Sequence, residues 1–95
     1  MDKEEILSRL REFKPALMRE FAVRQIGLFG SFAAGNPTES SDIDLLVELQ
    51  RPIGWKFFSL ELLLERIFNR KIDLVTKNAI KEEMKDRILN EVHYV

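Results

Sequence analysis

Two aspartates one residue apart, Asp42 and Asp44, open the apolar run Ile43–Leu49, and a Gly30-Ser31 pair lies upstream of them. In an extended chain the side chains at i and i+2 share a face. Both carboxylates therefore point one way, while Ile43, Leu45, Val47 and Leu49 point the other. A third carboxylate, Asp73, sits inside Lys71-Ile72-Asp73-Leu74-Val75. If that run is a strand beside the first, Ile72 and Leu74 join the apolar face and Asp73 emerges with Asp42 and Asp44. Three gathered carboxylates repel one another and raise the pKa of at least one unless a cation neutralises them. Magnesium is suited to the task, because it takes oxygen ligands and shares its shell with water and substrate phosphates. Two such ions, roughly 3.5–4 Å apart, can stabilise both the attacking and the leaving oxygen of an in-line displacement. Gly30 would permit close backbone approach to a ligand or a positive φ. Taken singly, each residue has a plainer reading: a tight turn, a cap, an exposed strand residue, a surface carboxylate. Their spacing argues for a site.

The elements that must position these residues follow from periodicity. Ile6, Leu7, Leu10 and Phe13 have the 3–4 spacing of one helical face, with Asp2 able to cap its start. Pro15 disfavours helical geometry at Lys14 and predicts a break, followed by a short helix to about Phe21. Val23 to Phe29 reads as the first strand, and Ile43 to Leu49 as the second. Between them Phe32-Ala33-Ala34 predicts a short helical turn closed by Gly35. Trp55 to Asn69 is helical, with Phe58, Leu62, Leu63 and Ile67 at helical spacing and Phe57, Leu60 and Leu64 widening the stripe. So apolar a helix packs on the sheet and has surface left for a partner. Lys71 to Thr76 is the third strand. A final helix, about Lys81 to Val92, turns Met84, Ile88 and either Leu89 or Val92 inward. His93 reads as a surface residue and Tyr94 as part of a flexible tail. The order is that of an α/β layer arrangement in one domain, residues 1–95.

Bulk properties exclude other classes. Fifteen Lys and Arg against sixteen Asp and Glu leave a net charge of −1, which advertises no nucleic-acid surface. Cysteine is absent, so disulfide and thiolate chemistry are excluded and a reducing cytoplasm fits. No stretch has the length of a membrane span, and the charged start lacks the apolar run of a secretory signal. No serine–histidine pair or Rossmann glycine fingerprint competes with the acidic face.

Gly30-Ser31, ten intervening residues and Asp42-Ile43-Asp44 resemble the signature of the nucleotidyltransferase superfamily. Roughly one in a thousand chains of this length would match that spacing by chance at average residue usage. The surrounding Gly-Ser-Phe-Ala-x-Gly and Ser-Asp-Ile-Asp-Leu-Leu-Val are similar in wording too, and the likeness is closest to the minimal, stand-alone members. The resemblance implies the polymerase-beta-like core, a small mixed sheet with helices packed on it. It also implies attack by a hydroxyl on the α-phosphorus of ATP with pyrophosphate leaving, and two magnesium ions. Asp42 and Asp44 would bind the metals that accompany the triphosphate, Asp73 would join at the ion that activates the hydroxyl, and Gly30 and Ser31 would hold the β- and γ-phosphates. Many relatives have arginine where this chain has Ala34, so Lys56, Lys71 or Arg24 is left to supply that cation.

Larger relatives append a domain that supplies the acceptor, and this chain leaves no length for one. A second protein is therefore expected to supply it, or a second copy to complete the site. The resemblance implies a HEPN-type helical toxin as partner, adenylylated on tyrosine, with this chain as the antitoxin of a type VII pair. A catalytically weak module that neutralises its partner by contact is the alternative. Transfer to a small hydroxylated molecule ranks third.

Overall fold

The computed structural model describes all residues, Met1–Val95. Helix α1 spans Lys3–Phe21, and the Asp2 carboxylate accepts from the Glu5 backbone N–H to cap it. The break expected at Lys14 does not occur, and α1 runs through Pro15 as one helix. Ile6, Leu7, Leu10, Leu17 and Phe21 all bury on one side of it. Packing along that whole stripe outweighs the cost of about 3 kcal/mol that an internal proline imposes.

Strands β1 (Val23–Phe29), β2 (Ile43–Leu49), β3 (Ile72–Thr76) and β4 (His93–Tyr94) form one mixed sheet in the order β3-β2-β1-β4. The β1/β2 and β1/β4 pairs are antiparallel. The β2/β3 pair is parallel, and α3 (Lys56–Phe68) makes the crossover that parallel neighbours require. Ile26 and Leu28 of β1, Ile43, Leu45 and Val47 of β2, and Ile72 and Leu74 of β3 are buried in one core with residues of α1 and α3. Alternation then sends Asp44, Leu46 and Glu48 of β2 to the opposite face.

Two boundaries near the C-terminus differ from expectation. The last helix, α4 (Glu82–Glu91), buries Ile88, but Met84 lies on the exposed side. The segment read as a loose tail is β4. Val95 N–H donates to the Ile26 carbonyl at 3.0 Å, and Lys14 Nζ donates to the Val95 carbonyl at 2.6 Å. Gly27 explains why β4 fits: a Cβ there would lie 2.7 Å from Val92 Cγ2 and 2.9 Å from Tyr94 Cδ1. No sequence period announces a two-residue strand. His93 is exposed, as expected.

Candidate active site

β1 ends at Phe29 and the chain turns through Gly30 into α2, the five-residue helix Gly30–Ala34. Gly30 has φ +76°, a conformation that a Cβ resists. A Cβ here would also run into Asp44 Oδ2 and stand 2.8 Å from Asp44 Cγ. Glycine is thus required twice, by backbone conformation and by the carboxylate pressed against it. Ser31 follows at the start of α2, half-buried. The Gly-Ser turn and the first strand carboxylate consequently form one surface.

The parallel register sets Asp44 directly beside Asp73. Equivalent positions on adjacent strands share a face, so the apolar alternation that buries Leu45 and Leu74 delivers both carboxylates together. Asp42 arrives differently. β2 begins at Ile43, so Asp42 belongs to the loop before the strand, and strand alternation does not set its position. It is still near enough to act on Asp44. Burial pushes the Asp44 carboxyl up to about 6, and the charge of Asp73, a hydrogen bond with Asp73 and the charge of Asp42 push the same way.

No lysine, arginine or histidine forms an ion pair with any of the three, the one salt bridge being Arg24–Glu48 at 3.5 Å. The donor set is therefore hard, anionic and uncompensated, which fits a divalent cation with oxygen ligands. The three carboxylates do not close into a ready-made cage. That too is compatible with magnesium, which keeps several waters and substrate oxygens in its shell.

Of the cations considered as substitutes for an arginine at Ala34, two are engaged elsewhere. Arg24 pairs with Glu48, and Lys56 Nζ donates to the Glu20 carbonyl at 3.4 Å. Lys71 alone of the three stands at the carboxylate end of the sheet, its carbonyl accepting from Ile43 N–H. The sequence reading missed Arg70. Its Nη1 donates to the Ser41 carbonyl at 2.9 Å and the Glu39 carbonyl at 3.2 Å, and its guanidinium lies 5.2 Å from the centre of the Phe32 ring. A lone arginine between a helix and a strand gives no periodic signal.

A concavity of about 540 Å³ lies elsewhere, lined by Arg24, Glu48, Arg51 and Lys77 among others. It sits at the far end of β2, its lining beginning at Val47, roughly 10 Å along the strand from Asp44 at ordinary strand rise. Tyr94 lies towards that side, its phenol pushed up by burial and then by Glu48.

Known proteins share the sequence and the fold of this chain. The protein adenylyltransferase MntA of Thermococcus cleftensis is 42% identical over 93 residues, covering 97% of this chain and 94% of that protein. A solved structure provisionally described as a minimal nucleotidyltransferase superposes with a TM-score of 0.80 at 29% identity, covering 98% of this chain and 95% of its own. The fold also matches a chain from a complex of a tri-AMPylated Shewanella oneidensis HEPN toxin with its MNT antitoxin (TM-score 0.59, 20% identity, 96% of this chain and 66% of that one). The nucleotidyltransferase domain family matches residues 10–95, and the chain, with its Gly-Ser turn packed on a strand carboxylate, is a nucleotidyltransferase of that family.

Proposed function

We propose that this enzyme transfers AMP from ATP to a tyrosine hydroxyl on a helical, HEPN-type toxin, acting as the toxin's antitoxin. The observation that carries the reading is the contact of Gly30 with Asp44, which joins a turn able to bind phosphate to a carboxylate able to hold a cation. Ser31 hydroxyl and the N–H groups of the turn hold the β- and γ-phosphates. Asp42 and Asp44 would hold the magnesium that accompanies the triphosphate, and Asp73 would join them in holding a second ion. When bound, magnesium supplies positive charge to the oxygens of the reacting phosphate. The acceptor hydroxyl oxygen forms a bond to the α-phosphorus and releases its proton to solvent. The bond from the α-phosphorus to the oxygen bridging to the β-phosphate breaks, and pyrophosphate leaves with that electron pair. The similarity to an adenylyltransferase supports AMP as the transferred group, and the fold shared with a toxin–antitoxin complex supports the partner. A cysteine-free composition suits a cytoplasmic setting.

Neutralisation by contact alone is the second reading, favoured by an exposed apolar stripe on α3: Trp55, Phe58 and Leu62. One experiment separates the two. The partner is incubated with this chain and ATP, with and without magnesium, and its tyrosines are examined by mass spectrometry. AMP on tyrosine, dependent on magnesium and lost with Asp42→Asn and Asp44→Asn, is the expected result. A partner neutralised but unmodified, equally well by those variants, would establish contact alone.

A further inference from the structure

We propose that Arg70 is a positioning residue: it locks the Asp42-bearing loop to Phe32, the buried residue of the short helix that the Gly-Ser turn begins. The inference rests on the adenylyl-transfer reading only for its activity readout. The loop from Asn36 to Asp42 is exposed up to Ser40 and half-buried at Ser41 and Asp42. Its remaining polar ties are local: Thr38 N–H donates to Ser41 Oγ at 2.8 Å, Ser41 N–H to the Thr38 carbonyl at 3.1 Å, and Asn36 N–H to the Ser31 carbonyl at 3.1 Å. Arg70 is the one side chain from outside that hydrogen-bonds this loop, and it takes two of its carbonyls.

The anchor behind it is firm. Asn69 ends α3 in the left-handed conformation (φ 50°), between buried Phe68 and the start of β3 with buried Ile72, so the backbone on both sides of Arg70 is fixed. The guanidinium carbon lies over the ring of Phe32, 5.2 Å from its centre, and Phe32 is 2% exposed and belongs to α2, the helix that Gly30 and Ser31 begin. Both bonds come from Nη1, and the planar guanidinium keeps its remaining N–H groups and its charge beside the ring; a lysine ammonium could reach the carbonyls but lacks that planar, delocalised group. Asp44 and Asp73 owe their places to strand register. Asp42 lies outside the strand, and the carbonyl immediately before it, that of Ser41, is held by Arg70. Ile43 N–H, bonded to the Lys71 carbonyl, fixes the chain just after Asp42, and Arg70 holds the carbonyl just before it, so the approach of Asp42 to its two fellow carboxylates depends on Arg70.

The test uses Arg70→Met and Arg70→Lys in the full chain. Amide order parameters for residues 38–42, measured by NMR without nucleotide or metal, should fall in Arg70→Met from about 0.85 to below about 0.6, with β2 and β3 unchanged. Transfer should lose on the order of 10²-fold in kcat, the scale of a misplacement near 1 Å, with KM for ATP moving less than about threefold. Arg70→Lys should fall between Arg70→Met and the parent in both measurements. A loop as rigid in Arg70→Met as in the parent would overturn the proposal, as would a loss of order spread evenly over β2 and β3. Should Arg70→Met fail to fold, Arg70→Lys decides: an unaltered loop and unaltered kcat overturn it. A loosened loop in a chain whose parent shows no transfer leaves Arg70 assigned and overturns the transferase reading instead.

Discussion

Asp44 is strained electrostatically in the absence of a cation, because burial, Asp73 and Asp42 all disfavour its charge. Its carboxyl titrates near 3.8 in the unfolded chain and near 6 in the folded one. Between those values the folded state holds more protons, so the contribution of Asp44 to stability falls as pH rises from about 4 to about 6 and is level above. Asp44→Asn removes the repulsion. Without divalent cations its Tm should exceed the parent's at pH 7, and the gap should close near pH 4. Adding magnesium should raise the parent's Tm and leave the variant's unchanged, while transfer drops by on the order of 10²-fold or more. Gly30→Ala is the opposite case, since it introduces strain. Positive φ and the collision with Asp44 together should cost on the order of 2 kcal/mol or more, seen as a lower denaturation midpoint, and activity should be lost with it.

Among the elements, α3 shows how one helix serves two surfaces. Leu60, Leu64 and Phe68 are buried, whereas Trp55, Phe58 and Leu62 form a separate stripe at i, i+3 and i+7. The sequence reading merged both stripes, because periodicity marks apolar positions without saying which face meets the sheet. α1 shows a local rule overridden by long-range packing, and β4 shows structure with no local signal at all. The β4 strand depends on a missing side chain at Gly27. Gly27→Val should displace Val92 and Tyr94, at a cost on the order of 1–3 kcal/mol. Carboxypeptidase should then trim the C-terminal residues faster than in the parent, and the Val95 amide should lose its exchange protection. Asp44 and Asp73, set by the β2/β3 register, should bind magnesium as in the parent.

For the molecule as a whole, the carboxylates stand at the start of β2 and β3 and the exposed stripe on α3 and its N-cap, so nucleotide chemistry and the proposed partner contact can be tested separately. Trp55 is 85% exposed, with its ring centre 5.7 Å from that of Phe58. Aromatic residues that become buried at interfaces carry much of the binding energy, about 2 kcal/mol or more each. Trp55→Ala with Phe58→Ala should weaken binding of the helical partner at least tenfold by calorimetry, with affinity for magnesium–ATP unchanged. Equal partner affinity would show that the partner docks elsewhere. The sequence by itself marked the three main strands, the helical stretches around Phe58 and Ile88, the short turn at Phe32 and the alternation that puts Asp44 and Asp73 on one face once their strands lie side by side, because period and spacing are local properties of the chain. Tertiary structure decided the rest: a helix continuous through Pro15, the C-terminal strand over Gly27, the bare stripe of α3 and the reach of Arg70 to the loop before Asp42. Each of these depends on what a residue meets across the fold, and no local pattern encodes the identity of a distant neighbour.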